Sequence, residues 1–233
     1  MSKMWEAFYR QFVTYGGYKD VLLGVRNTIL IAIFGLIIGI IIGTVIACFQ
    51  VSAGRNKVVK VFSVIGNVYV AIFRGTPIIV QLLIFHYVIF PAMFISIDGL
   101  LEAIVVFGLN SGAYVSEIMR GGFMSVDNGQ YEAGRTLGLG YTATMVKIVF
   151  PQAVKNVLPT LGNELIALLK DTSVAGYVAT MDLTRAFRLI ASANYEYIIP
   201  YLILAAMYLI IILIVTFLIR LLERRLRKSE RKR

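Results

Sequence analysis

One cysteine, one histidine and one tryptophan occur in 233 residues, beside only 13 acidic side chains. The lone Cys48 cannot form an internal disulfide, and its place inside an apolar stretch gives it a packing role. The lone His86 has no second imidazole, C-x-x-C or H-E-x-x-H to join, so nothing supports a metal site. In its apolar run it is expected to be packed or hydrogen-bonded. No G-x-x-x-x-G-K-[ST] phosphate loop is present. A membrane enzyme is opposed by the missing nucleophile–base or metal constellation. There is also no internal repeat, low-complexity segment or soluble domain.

What fills the sequence instead is hydrocarbon. The chain is 58% hydrophobic with a mean hydropathy of +0.79, too apolar for a soluble domain of this size. Residues 28–49 and 198–219 are the cleanest stretches of about 20 residues, the length a helix needs to cross a bilayer. The first follows Glu6, Arg10, Lys19 and Asp20, so it is no cleaved signal. The net charge is +10, but eight basic and two acidic residues between positions 220 and 233 put +6 of it in one tail. Such a tail beside an apolar span marks a cytoplasmic end held near anionic lipid, not a nucleic-acid site.

Along the chain, 1–26 mixes aromatics with scattered charge and suits an interfacial segment. The transmembrane domain then covers 27–221, and 222–233 is the basic tail. The first span, about 27–50, carries Gly35, Gly39 and Gly43 on one face, where small residues let another helix approach closely. The 52–60 link holds Arg55, Lys57 and Lys60 without an acid and reads as cytoplasmic. Apolar regions follow at 58–94, 97–121, 158–180 and 197–221, with a polar segment at about 122–157. The cytoplasmic segments must be separated by even numbers of crossings. That parity gives five spans, amino terminus outside and carboxyl terminus inside, with 58–94 crossing once. A straight helix over 58–94 would be about 55 Å long, so it must tilt, lie partly on the surface or kink at Pro77. Splitting it in two at Arg74 gives six spans and breaks the parity.

The polar segment carries the function. It reads Glu132-Ala133-Gly134, three residues, Gly138, nine residues, then Ile148-Val149-Phe150-Pro151, with Pro159 beyond. This spacing predicts a short helix, a glycine turn and a second helix ended by proline. It resembles the EAA loop of bacterial importer permeases of the ATP-binding-cassette superfamily, departing at Gly134 (usually alanine) and Phe150 (usually leucine). Arg74-Gly75-Thr76-Pro77 with Gln81 is similar to the polar-amino-acid branch (histidine, glutamine, arginine, cystine). So are Ser111-Gly112-Ala113-Tyr114 through Glu117 to Arg120-Gly121-Gly122, and Leu169-Lys170-Asp171-Thr172-Ser173. The resemblance implies an all-α integral membrane protein of five transmembrane helices with a two-helix coupling loop, in the bacterial inner membrane. It implies two ATPase subunits that hold ATP and magnesium and contact Glu132, Ala133, Gly134 and Gly138, with no cofactor in this chain. It also implies a second permease copy, identical or a close relative, and an extracytoplasmic amino-acid-binding protein.

Ionisable groups inside spans cost roughly 2.5–3.5 kcal/mol each, so each needs a reason. Asn110, Tyr114 and Glu117 share one helical face, and Glu164, Leu168 and Asp171 repeat the spacing on the fourth span. The expected substrate pocket joins Glu164, for a cationic or amide side chain, to Asn110, Ser111, Tyr114, Glu117, Asn163 and Asp171. Arg74, beside the Pro77 break, takes the carboxylate. Interhelical pairing, for instance of Arg74 with Glu117, is the alternative for these charges, and Lys170 with Asp171 can pair to hold a helix unwinding. The rival function is a secondary transporter in which Glu117, Glu164 and Asp171 relay protons or sodium.

Overall fold

The computed structural model describes residues 2–54, 56–178 and 180–230, and every regular element among them is helical. Arg55 of the basic link and residues 231–233 of the tail lie outside the described residues. A short α1 (Ser2–Tyr9) and a π-helical turn (Arg10–Thr14) lead into α2 (Gly17–Val51). The first long helix therefore begins at Gly17 rather than near residue 27. Its 35 residues extend about 52 Å, well past the hydrocarbon.

The helix α3 (Lys57–Gly75) starts on Asn56, whose side chain accepts a hydrogen bond from the Val59 N–H. After the break at Thr76-Pro77 come α4 (Ile78–Ile84), a π turn (Phe85–Ile89) and α5 (Phe90–Ala92). Then follow α6 (Gly99–Met124), α7 (Asn128–Thr136), α8 (Tyr141–Thr144), a π turn (Met145–Val149) and α9 (Phe150–Asp171). A 3₁₀ turn (Thr172–Val178), α10 (Leu183–Asn194) and α11 (Ile198–Glu230) complete the fold. Two of the π turns immediately precede Phe-Pro, at Pro91 and Pro151. Each proline removes a backbone N–H and its ring pushes away the carbonyl four residues earlier, which widens the preceding turn. Pro159 behaves otherwise: it lies inside α9 and does not end it. The expected boundary near 158 is therefore absent, and α8, the π turn and α9 run on without a gap.

Close approaches fix the relative directions of the passes. Added Cβ atoms on Gly35, Gly39 and Gly43 would meet Phe107, Ser111 and Ser116 in turn, so α2 and α6 run parallel. Two parallel helices need an odd number of passes between them, and the side-chain bonds show one. Asn110 of α6 reaches Phe73 and Gln81, whereas Glu102 reaches His86 further along, so α3, α4 and α5 together run antiparallel to α6. Gly122 lies against Ala153 and Val157 while Ser111 bonds Glu164, so α9 returns antiparallel to α6. Ile219 packs on Gly162 while Met207 and Tyr208 pack on the α10 cluster, so α11 reverses direction again.

Among the described residues, five helical passes therefore alternate in direction through the bundle, and 58–94 forms one of them, broken in the middle. Among the described residues, four helices are long and apolar enough to cross a bilayer by length and composition: Gly17–Val51, Lys57–Gly75, Gly99–Met124 and Ile198–Arg224. The fifth pass, α9, is 22 residues long but carries Lys155, Glu164, Lys170 and Asp171. The core is centred on α6, whose Val106 and Phe107 are fully buried with Ile31, Leu82, Leu168 and Val178.

Candidate functional site

The mid-bundle break sets out the first part of the site. Proline after Thr76 ends α3, leaving its last carbonyls without helical partners. Gln81, one turn into α4, supplies them: its Nε2 donates to Phe73 O at 2.8 Å, Thr76 O at 2.9 Å and Thr76 Oγ1 at 2.9 Å. Its Oε1 accepts from Asn110 Nδ2 at 2.9 Å, and that amide also reaches Phe73 O at 3.4 Å. Asn110 is buried and props the break from behind, rather than pointing into open space. With Gln81 holding the chain, Arg74 stands exposed, its guanidinium over the Tyr114 ring at 5.4 Å from the centroid. This is a cation–π contact that orients the charge without neutralising it.

The second part lies where α6 meets α9. Ser111, fully buried, donates to Glu164 Oε1 at 3.0 Å. Glu164 is half-buried, and Thr160, Asn163, Lys170 and Asp171 are exposed around it on α9. Glu117 makes its ion pair within its own helix, with Arg120 at 2.6 Å, not with Arg74. The structure thus brings Ser111 to Glu164 and Arg74 to Tyr114. It turns Asn110 toward the break, ties Glu117 to Arg120, and leaves Asn163 and Asp171 on an open face. Gln81 belongs to the site as its support, a role its place in the Arg74-to-Gln81 motif signals only once the break is seen. His86 is hydrogen-bonded, its Nδ1 donating to Glu102 Oε2 at 2.9 Å.

The polar 122–157 segment is built by local rules. Asp127 caps α7 by accepting from the Gly129 N–H at 2.6 Å. At the other end Gly138 adopts φ +81, the left-handed conformation that favours glycine. The Gly138 N–H donates to Arg135 O and the Leu139 N–H to Gly134 O, the paired bonds of a Schellman cap. Glu132, Ala133 and Gly138 are exposed, and Leu137 stands 79% exposed at the tip. Gly134 is different. It is buried against α8, where an added Cβ would lie 2.7 Å from Thr144 Cγ2. Within the chain it packs at the two-helix contact rather than on the surface, and the alanine usual here would crowd that contact. Gln130 with Gln152, and Ser125 with Asn156, tie the incoming and outgoing legs together. Because α8 continues through the π turn into α9, the second leg of this segment and Glu164 lie on one unbroken helical run. At the other end of the bundle Asp182 caps α10 from a fully buried position, and burial pushes its carboxyl above the usual range against the pull of the Thr184 and Arg185 N–H groups.

Comparison with known proteins adds a family and relatives. The family model for "binding-protein-dependent transport system inner membrane component" matches residues 35–228. A putative glutamine transport system permease protein of Rickettsia typhi is 34% identical over 206 residues, covering 88% of this chain and 92% of its own. The arginine transport system permease protein of Bacillus subtilis is 35% identical over 210 residues, covering 90% and 94%. A crystal structure of an amino acid ABC transporter with histidines superposes with a TM-score of 0.80 at 34% identity, over 93% of this chain and 98% of that one.

Proposed function

The chain belongs to the family of inner-membrane components of binding-protein-dependent transport systems, and on that premise we propose that it is the membrane-spanning subunit of an ATP-driven importer for polar amino acids. The relatives of similar length that transport glutamine and arginine support the substrate class. An ion-coupled secondary transporter is excluded by the family. The five alternating passes cross the inner membrane, with the amino terminus outside and the coupling loop and basic tail in the cytoplasm. Two copies form the pore, each seating one ATPase subunit on Glu132, Ala133, Leu137 and Gly138. A binding protein delivers substrate at the opposite end.

One observation carries this reading: the second helix of the coupling loop and the helix bearing Glu164 form one continuous lever. Closure of the ATPase pair moves α7, which is wedged on α8 through Gly134. The motion passes along α9 to Glu164 and Ser111 without chemistry in this chain. In the pore, Glu164 takes a cationic or amide group of the substrate, and Arg74, held on Tyr114, takes its carboxylate. The polar face of α9, too costly against lipid, closes on the second copy.

Two measurements test the reading. The ATPase subunit should co-purify with the wild type and be lost from a Glu132→Ala/Gly138→Leu double variant; retention would move the docking surface elsewhere. In vesicles holding the assembled complex, Glu164→Ala should lower uptake of arginine or glutamine about tenfold or more, the scale of one lost charge-assisted contact. Unchanged uptake would remove Glu164 from the pathway.

A further inference from the structure

At the coupling-loop end of the bundle, the elbow between α2 and α3 borders a cavity that the transport reading leaves unused. Its volume is about 470 Å³, and its walls include Cys48, Phe49, Val59, Phe123, Met145 and Phe150. That size falls within the range of about 300–1,000 Å³ typical of ligand sites, and the lining is mainly apolar, as in such sites. Beside it lies a shallower depression of about 520 Å³ formed by Ala53, Gly54, Asn56, Lys57 and Lys60. Asn56 lines both, so an apolar chamber and a cationic shelf share one wall.

We propose that this elbow holds one anionic phospholipid of the inner leaflet, with an acyl chain in the cavity and its phosphate on Lys57 and Lys60. The inference rests on the orientation given above, which puts the coupling loop in the cytoplasm. Three features favour lipid as the occupant. Exposed Val58, Val61, Phe62, Val64 and Ile65 continue along α3 from the cavity's edge at Val59, so a hydrocarbon-facing wall leads to it. Lys57 and Lys60 are exposed, and neither makes an ion pair among the described residues. Both sit in the first turn of α3, where the helix dipole adds positive potential for a phosphate. Basic pockets between membrane helices on the cytoplasmic side suit anionic headgroups.

The site would also be regulatory, because its two sides belong to different working parts. Phe49 and Ser52 come from the end of α2, whereas Tyr141, Met145 and Phe150 come from the coupling segment. Across the rim Ser52 Oγ and Tyr141 OH lie 3.2 Å apart. An acyl chain between these walls props the loop against α2 and stiffens the path from ATPase to α9.

Cys48, the sole cysteine of this chain and exposed in the cavity, reports occupancy. The assembled complex is reconstituted in vesicles of phosphatidylcholine alone, or in equal parts with phosphatidylglycerol. Maleimide labelling of Cys48 and substrate-stimulated ATP hydrolysis are then measured. Phosphatidylglycerol should slow labelling several-fold and raise hydrolysis. Lys57→Gln/Lys60→Gln should label fast in both lipids, each lysine contributing about five-fold to lipid affinity, while its hydrolysis in phosphatidylcholine stays at the wild-type level. Val59→Trp, which fills the chamber, should label slowly in both. Equal wild-type labelling in the two lipids overturns the proposal, as does a slowing that persists in the double lysine variant, which is a surface-charge effect. Protection in detergent on adding the ATPase subunits assigns the cavity to that partner and overturns it too. Absent hydrolysis in every lipid fails the transport reading alone, since the labelling result stands by itself.

Discussion

Along one side, α6 is fitted to α2 so closely that neither helix has room for a side chain at several contacts. Along the side bearing Tyr114, Glu117 and Gly121 it is open, with nothing else in the described residues covering Gly121. The first side is complete within one chain. Gly39 and Gly43 from α2 and Gly108 and Gly112 from α6 bring the backbones together, the arrangement that drives association where lipid removes the hydrophobic incentive. Asn163, Lys170 and Asp171 of α9 are likewise exposed, the polar face proposed above to meet a second copy. Backbone fit within the chain makes the scaffold, and unsatisfied polarity marks the face proposed above for transport and assembly.

The largest effect should come from breaking the fitted side. Gly43→Leu places a Cβ 2.6 Å from Ser116 N and 2.8 Å from Gly112 O, both backbone atoms that cannot swing aside. Forcing α2 and α6 apart should cost about 3 kcal/mol or more. In detergent, thermal unfolding followed by tryptophan fluorescence should show a large loss of stability or no folded protein. A wild-type melting curve would mean that the seam yields more easily than its backbone contacts indicate.

A middle-sized effect belongs to the hinge between the two sides. Gln81→Ala removes the amide that serves Phe73 O, Thr76 O and Asn110. Buried polar groups left unpaired cost about 1–3 kcal/mol. Stability should fall by that amount, and uptake should fall further because Arg74 loses its fixed backbone. Gln81→Glu, which keeps the acceptor for Asn110 but not the donors to the carbonyls, should restore little. Full restoration would show that the Asn110 bond alone holds the break.

These contrasts explain what could be read from the chain and what could not. Gly35, Gly39 and Gly43 announced a close helix contact because spacing of four is a local property of the sequence. Charge parity leads to the expectation of one pass over 58–94, and in the structure the bonds of Gln81 and His86 to α6 show that α3, α4 and α5 run together antiparallel to α6. The helix, glycine turn and helix of the 122–157 segment were legible because Asp127 and Gly138 act through their own neighbours. Three features depend on tertiary partners and were hidden. Pro159 continues α9 instead of ending it, because the surrounding helices tolerate one missing hydrogen bond. Gly134 faces Thr144, which only the fold of α7 onto α8 decides. Asn110 shares a helical face with Tyr114 and Glu117, yet its amide answers Gln81 on another helix. Spacing selects a face, but it does not say which neighbour waits there.

The smallest effect tests the open side. Gly121 sits within α6, and an added Cβ meets nothing within 4 Å. Replacing glycine by alanine inside a helix gains about 0.5–1 kcal/mol through lower backbone freedom in the unfolded chain and better helix propensity. Gly121→Ala should therefore raise the melting temperature of the isolated chain by a few degrees, opposite in sign to Gly43→Leu, although both remove a glycine from a long helix. The same variant then probes the missing surface. If the second copy meets this face through side chains, the dimer forms normally on size-exclusion chromatography. If its backbone comes as near as α2 does on the other side, the monomer gains stability while the dimer is lost. That pair of opposite shifts would make the open face a second glycine seam, formed between chains instead of within one.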